Sequence, residues 1–397
     1  MKILIAEDTK AIQILLTHHL KKWGHEVIVA DDGVQAWEII KETPIQFLIS
    51  DWMMPGMDGL TLCRKIREAN FPGYIYIILL TAIGNKEGIV KGMEAGADDY
   101  LGKPFDSEEL RVRIQAGIRL LHLESELQER NDRLAETYGR IRRDLDAAAA
   151  MQKSLLPAPS TAFGNAHFDW LFLPSAFVAG DILNYFRVVD DHHVAFYQLD
   201  VSGHGVPSAM LSVTLSKLLS PETRVDSLLK SFSVDESGSA KCISPEKTVT
   251  ELNNMFQGGE GDFYFTMVYG VLDTNTGELQ FCQAGHPSPI IMHAGESAEK
   301  VGEGGFPVGM LPDLSYDSHD ITLKSGDRFF LYSDGITECA SLDTGEMFGE
   351  SRLMRFFEDK RDLSIRQLNV ALNEILVEWR GGEELEDDVS LLVLEMK

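Results

Sequence analysis

The sequence predicts a multidomain α/β chain, with a doubly wound parallel sheet, then a long helix, then a second domain of mixed strands and helices. Three observations carry this. Short β-branched runs alternate with amphipathic segments over the first hundred residues. A strict seven-residue repeat then occupies residues 119–156, and beyond Pro157 and Pro159 strands again alternate with long helical patterns. The length of 397 residues agrees with two or three domains at the usual ~150 residues each.

In the first part, Ile3-Leu4-Ile5-Ala6, Glu26-Val27-Ile28-Val29-Ala30, Phe47-Leu48-Ile49-Ser50 and Tyr76-Ile77-Ile78-Leu79-Leu80 are apolar runs of the kind that form parallel strands buried on both faces. Residues 11–23 and 33–42 between them carry helical patterns. Such a sheet places its site at the C-terminal ends of its strands. In the middle part, Leu120, Leu127, Leu134, Ile141, Ala148 and Leu155 recur every seven residues. Residues 119–155 hold seven Lys/Arg and seven Asp/Glu, so this stretch is neutral. A repeat of this kind argues a coiled coil. A second series, Asn131, Tyr138 and Leu145, follows at four residues' remove, and a polar Asn there fixes register and favours two strands. The alternative is a long solvated helix packed on its own domain. Pro157 and Pro159 end the helix, because proline cannot continue one. Further on, residues 194–201, 264–272, 277–284, 328–333 and 389–395 read as strands, and 208–219, 245–256 and 364–379 as helices. The polar, Ser-rich residues 220–241 read as a flexible loop.

Thirty-six Lys/Arg against 62 Asp/Glu give a net charge of 36 − 62 = −26. That balance argues against a surface that reads DNA or RNA, which needs clustered basic residues. It suits carboxylate clusters that hold cations, or simply a solvated acidic surface. Cys63, Cys242, Cys282 and Cys339 are scattered without metal-type spacing, as expected of reduced thiols in a cytoplasmic protein. The longest apolar stretch, near residues 74–80, is far short of the ~20 that span a bilayer, and no signal segment precedes the first strand. The expectation is a soluble cytoplasmic protein with neither nucleic acid nor membrane as partner.

Five chemically useful residues fall at the predicted strand ends: Glu7 and Asp8 after the first, Asp51 after the third, Thr81 after the fourth, and Lys103 before Pro104. Two or three carboxylates there can hold Mg²⁺ while Asp51 attacks phosphorus, with Lys103 and the Thr81 hydroxyl binding the new phosphate oxygens. A single Asp at a strand end is ordinarily a helix cap or turn residue, so the combination carries the reading. Together with Met54-Pro55-Gly56-Met57-Asp58-Gly59, Gly96-Ala97-Asp98-Asp99-Tyr100 and Lys103-Pro104-Phe105, it resembles the receiver domain of two-component response regulators over residues 1–120. The resemblance implies a flavodoxin-like fold, Asp51 as phosphoacceptor, Glu7 and Asp8 helping to bind Mg²⁺, Thr81 and Tyr100 as switch residues, and a sensor histidine kinase or phosphotransfer protein as partner.

The C-terminal part has Ala179-Gly180-Asp181, Leu199-Asp200-Val201-Ser202-Gly203-His204-Gly205, Tyr332-Ser333-Asp334-Gly335 and Glu386-Asp387-Asp388-Val389 at predicted strand ends. Asp beside Gly is ordinary turn chemistry, but four such motifs against apolar strands are not. Hard oxygen donors without His or Cys favour Mg²⁺ or Mn²⁺, and two such ions can bridge and activate a water. With Met151-Gln152-Lys153-Ser154-Leu155-Leu156-Pro157, Phe265-Thr266-Met267, Ala284-Gly285-His286-Pro287 and Pro307-Val308-Gly309, the set resembles a PPM-type serine/threonine phosphatase of the SpoIIE-like branch. That resemblance implies a β-sandwich flanked by helices and two Mn²⁺ or Mg²⁺. By it, Asp200 bridges both ions, the Val201 carbonyl binds one, Asp334 and Asp387 bind the other, and Asp181 acts directly or through water. Of the adjacent Asp387 and Asp388, only the first aligns with the usual ligand. Asn184 stands where the branch often has an acid, and Ser202 where animal relatives have His; His204 reads as a turn residue.

The domains expected are therefore a receiver over 1–120, a coiled-coil linker over 121–156 and a phosphatase over 157–397. The function expected is a phosphatase controlled by phosphorylation of Asp51, dimeric through the coil. In this branch the usual substrate is a phosphorylated STAS-type anti-sigma-factor antagonist. The alternative is a non-catalytic dimeric scaffold that sequesters a partner.

Overall fold

In the computed structural model the chain divides into two units, Met1–Arg140 and Ile141–Lys397. The structure describes residues 1–69, 71–82, 86–203, 205–221, 228–232, 240–257, 264–382 and 384–397.

The first unit alternates β1 (Lys2–Ala6), α1 (Lys10–Lys22), β2 (Glu26–Ala30), α2 (Gly33–Glu42), β3 (Phe47–Asp51), α3 (Gly59–Glu68), β4 (Tyr76–Ala82), α4 (Lys86–Glu94) and β5 (Asp99–Lys103), and then begins α5 (Ser107–Lys153), whose last turns belong to the second unit. Its five strands are all parallel, in the order β2-β1-β3-β4-β5. Because successive side chains alternate faces, Leu4, Leu48, Ile77 and Leu79 build one core with α2 and α3. Ile3, Ile5, Ile49 and Ile78 build the other with α1 and α5. Asp32 and Asp58 cap α2 and α3, each accepting a backbone N–H at 2.7 Å.

The helix read as starting at residue 119 is part of α5, which begins inside the receiver and runs unbroken for 47 residues. Leu110, Ile114 and Leu121 bury its first turns on the sheet. Beyond them Leu127, Leu134, Tyr138 and Ile141 are all exposed. Glu126–Arg130 and Glu129–Arg133 ion pairs, at 2.6 and 3.3 Å, line the helix at the four-residue spacing that adds ~0.2–0.5 kcal/mol each. After Lys153 the N–H groups of Leu155 and Leu156 turn back to the carbonyls of Gln152 and Lys153, tightening the chain before Pro157.

The second unit contains β6 (Thr161–Phe163), β7 (Ala166–Leu173), β8 (Ile182–Arg187), β9 (His193–Val201), α6 (Val206–Leu218), β10 (Lys230–Phe232), β11 (Ala240–Cys242), α7 (Pro245–Phe256), β12 (Phe265–Asp273) and β13 (Glu278–Ala284). It continues with β14 (Ile290–Met292), β15 (Ala298–Lys300), β16 (Ser318–Thr322), β17 (Arg328–Tyr332), α8 (Asp334–Thr337), α9 (Glu350–Asp359), α10 (Ile365–Arg380) and β18 (Val389–Met396). Two antiparallel sheets form, β16-β13-β12-β9-β8 and β15-β14-β17-β18-β7-β6. Phe196 and Phe281 of the first meet Phe168 and Phe329 of the second in a shared core, so the sheets make a sandwich. The outer face of the six-stranded sheet is covered by α9 and α10, with Phe330 stacked on Phe357 at 4.0 Å. Within the stretch read as a loop, β10 and β11 pair as a small antiparallel ribbon, with Ser231 opposite Lys241. All four cysteines are free.

Candidate phosphoacceptor and metal sites

Parallel pairing of β1, β3, β4 and β5 brings the first set of residues to one edge. Glu7 is buried, and Asp51 is nearly so at the end of β3. Glu7, Asp8 and Asp51 each offer an oxygen within 4.8 Å of the others. The Lys103 ammonium lies between two of them, 2.6 Å from Glu7 Oε2 and 2.8 Å from Asp51 Oδ1. Three carboxylates and one ammonium leave a charge of −3 + 1 = −2, which together with the all-oxygen donor set fits a hard divalent cation. Thr81 is buried beside them on β4. Gly59 permits the close turn after Asp51, since a Cβ there would sit 2.2 Å from the Asp51 carbonyl oxygen. Tyr100 carries the Arg113 guanidinium 5.4 Å from its ring centre, and Arg113 also pairs with Asp99 at 2.5 Å. Arg113 belongs to α5, so the expected switch residue touches the long helix, a contact no local motif announced.

In the second unit, β8 pairs with β9 so that Ile182 faces Leu199, and one step on Asp181 meets Asp200. Asp334 and Asp387 come from the adjoining ends of β17 and β18, joined where Ser333 and Ser390 exchange backbone and hydroxyl hydrogen bonds at 3.0 and 2.9 Å. A Cβ on Gly335 would lie 2.2 Å from the Asp388 carbonyl oxygen, so glycine lets these two segments touch. Asp181 is almost fully buried and accepts a 2.5 Å hydrogen bond from Ser390 Oγ, which in turn accepts from Gln198 Nε2 at 2.8 Å.

Burial, followed by the neighbouring Asp200, pushes the Asp181 carboxyl well above the carboxylate range. Burial, then Asp334, Asp387 and Asp388, pushes Asp200 up to about 7. Asp334 is raised by burial and by Glu338. The largest influences on these three are burial and neighbouring carboxylates, opposed by hydrogen bonds. Carboxylates gathered against their mutual repulsion and offering only oxygen donors fit divalent cations. The Val201 carbonyl oxygen faces the same loop, 3.0 Å from where a Gly180 Cβ would stand. Among the described residues, no three acids of the second unit lie as close together as Glu7, Asp8 and Asp51 in the first.

Asp388 does something different from its neighbour. Its Oδ1 accepts from the Ser175 N–H at 2.7 Å and hydroxyl at 2.9 Å, and its Oδ2 from the Gly180 N–H at 2.7 Å. Both oxygens thus hold the loop that leads into Asp181. Ser202 Oγ accepts from the Tyr264 N–H at 3.4 Å, and Asn184 Oδ1 from the Tyr185 N–H at 2.8 Å, so each secures backbone. His286, buried and pushed down to about 3, is neutral, and its Nδ1 lies 2.9 Å from the hydroxyl of Thr266, the cross-strand partner of Asp200. His204, the Gly258-Gly259-Glu260-Gly261 run and Glu383 lie outside the described residues.

A parallel receiver sheet and an antiparallel sandwich with aspartates at its strand ends define a signalling chain of two different α/β parts. The response regulator receiver domain model matches residues 3–115, and the Stage II sporulation protein E (SpoIIE) model matches residues 190–397. The latter spans just over half of the chain, which therefore belongs to the SpoIIE family. The sandwich is similar in fold to the SiaA-PP2C domain of Pseudomonas aeruginosa, with a TM-score of 0.55 at 21% identity, covering 66% of this chain and 100% of that one. The receiver is 40% identical over 118 residues to the phosphate regulon transcriptional regulatory protein PhoB of Rhizobium meliloti (strain 1021), covering 30% of this chain and 52% of that protein. Over 144 residues the chain is 38% identical to the response regulator MprA of Mycobacterium ulcerans (strain Agy99), covering 36% of this chain and 60% of that protein. The chain thus spans about half the length of the curated relatives it matches. Among the described residues no helix is long and apolar enough to cross a membrane.

Proposed function

We propose that this chain is a response regulator whose phosphorylation at Asp51 controls a metal-dependent protein serine/threonine phosphatase in its C-terminal unit. The observation that carries the reading is the gathering of buried Asp181 with half-buried Asp200 and Asp334, each held above the usual carboxylate range by burial and by a neighbouring carboxylate. A scaffold would gain nothing from burying like charges together, and metals would repay that cost.

The organisation we adopt is a receiver over 1–120, a linker over 121–156 and a phosphatase over 157–397. In the receiver, Asp51 takes the phosphoryl group from a phosphohistidine of a sensor kinase or phosphotransfer protein. The N–P bond breaks and an acyl phosphate forms, whose oxygens Lys103 and Thr81 would bind, while Glu7, Asp8 and Asp51 would hold Mg²⁺. In the phosphatase, Asp200 would bridge two Mn²⁺ or Mg²⁺ ions, with the Val201 carbonyl on one, Asp334 and Asp387 on the other, and Asp181 alongside. Bound there, the ions would supply Lewis acidity for hydrolysis of a phosphoserine or phosphothreonine ester. Ser390 and Gln198 orient Asp181, and Asp388 holds its loop. The substrate we assign is a phosphorylated STAS-type antagonist in the cytoplasm, and the exposed stripe of Leu127, Leu134, Tyr138 and Ile141 pairs two chains.

Phosphate release from such a substrate with Mn²⁺ tests this, comparing wild type with Asp200→Ala and Asp334→Ala. Loss in both variants is expected, and equal release in all three would remove the catalytic roles.

A further inference from the structure

Gln152 lies in the last turn of α5, seven residues after Leu145 and so on the stripe of Asn131, Tyr138 and Leu145. Asn131 and Tyr138 are exposed, whereas the Gln152 side chain is 4% exposed. Its amide grips one residue from both sides. Nε2 donates to the Ala179 carbonyl at 2.7 Å, and Oε1 accepts from the Ala179 N–H at 2.9 Å. Nε2 also reaches Ser212 Oγ of α6 at 3.1 Å, and that hydroxyl lies 3.4 Å from the same carbonyl. Ala179 is buried and stands two residues before Asp181, with the Gly180 N–H between them held by Asp388.

Only an amide side chain brings one donor and one acceptor to a single residue's backbone groups in this way. Leucine would leave both buried groups unpaired, and glutamate would set an acceptor against the Ala179 carbonyl. The contact is also sensitive to how α5 lies. An amide ~5–6 Å from the helix axis moves about 2 Å when the helix turns by about 20°, enough to break bonds of ordinary hydrogen-bond length.

We propose that Gln152 is a positioning residue for the Asp181 carboxylate, setting the backbone of residues 179–181 according to where the end of α5 lies. This deepens the phosphatase reading and rests on it only for the effect on turnover. The test uses the full chain carrying Gln152→Leu or Gln152→Glu, with Gln128→Leu as a control at an exposed position of the same helix. Three quantities are read: amide hydrogen exchange over residues 176–182, Mn²⁺ affinity by calorimetry, and the unfolding temperature in chelator. Hydrolysis of a small aryl phosphate is followed alongside. In Gln152→Leu, exchange at Ala179 and Gly180 is expected to rise at least ~10-fold and Mn²⁺ binding to weaken by roughly the same factor, with Gln128→Leu unchanged. Gln152→Glu keeps the acceptor for the Ala179 N–H and should fall between, and it decides the matter if the leucine variant does not fold.

Exchange and Mn²⁺ affinity equal to those of Gln128→Leu would overturn the proposal. So would a lowered unfolding temperature with Mn²⁺ affinity intact, the mark of a merely structural role. If wild type neither binds Mn²⁺ nor hydrolyses the aryl phosphate, the phosphatase reading fails, and exchange over 176–182 still decides the role of Gln152.

Discussion

Replacing Asp388 by alanine separates a loop clasp from a metal ligand. The change removes the acceptor for the Gly180 N–H, which is buried, and for the N–H and hydroxyl of Ser175, which is half-buried and can recruit water. An unpaired buried donor costs ~1–3 kcal/mol, and a part-exposed one less. Relief of the carboxylate's own desolvation offsets part of this. The net loss expected is about 2–3 kcal/mol, a fall of ~5–10 °C for a unit of this size. Asp388→Asn keeps one acceptor and should lose about half as much. The assay is thermal unfolding in chelator, followed by hydrogen exchange of peptides from the second unit because the two units need not melt together. Saturating Mn²⁺, at about 100 times its dissociation constant, should then stabilise Asp388→Ala by ~2.7 kcal/mol, as it does wild type. Asp334→Asn should show the reverse, with chelator stability retained and the Mn²⁺ increment lost. If Asp388→Ala instead unfolds like wild type in chelator and gains nothing from Mn²⁺, Asp388 is a ligand and the clasp is wrong.

Three further outcomes are expected. Asp51→Asn should abolish the phosphoryl mass increment that wild type gains from a small acyl phosphate and Mg²⁺, and persistent labelling at another residue would move the phosphoacceptor. Leu127→Lys with Leu134→Lys should turn a dimer into a monomer by sedimentation equilibrium, and a wild type already monomeric would refute the coil. His286 is held near 3 by burial, against 6.5 when exposed, so the unfolded state binds its proton more tightly and stability falls as pH drops below 6.5. By about pH 4.5 that loss should reach ~2–3 kcal/mol. His286→Gln should flatten this acid limb in urea unfolding, whereas parallel curves for the two proteins would mean that other groups set it.

The parallel strands were legible because Ile3 to Ala6, Phe47 to Ser50 and Tyr76 to Leu80 are buried on both faces and so read as unbroken apolar runs. The start of α5 was not. Its first turns bury Leu110, Ile114 and Leu121, while the repeat that marks it runs through Leu120, Leu127 and Leu134. One helix thus changes its apolar face partway, and a single periodicity cannot follow it. β10, β11, β14 and β15 have three residues each, too few to display alternation. At the site, motifs located Asp181, Asp200, Asp334 and Asp387 by residue type. The division of labour between Asp387 and Asp388 rests on contacts with Ser175 and Gly180 more than two hundred residues away. Gln152 entered the sequence reading only as one residue of the 151–157 stretch, and its grip on Ala179, 27 residues away, became visible only in the fold.

β18 lies in the interior of the six-stranded sheet, with β17 on one side and β7 on the other. Its placement sets an order for synthesis. A growing chain on the ribosome can fold the first unit early, because every strand of that sheet lies within the first 103 residues. The second unit must wait, since residues 389–396 alone join β17 to β7 and bring Asp387 beside Asp200. A chain stalled before this strand would present a finished receiver next to two unclosed sheet edges. On the function proposed above, such a product would still draw phosphate from a kinase while lacking any output, so an interrupted message would yield a competitor of the intact protein rather than a silent fragment.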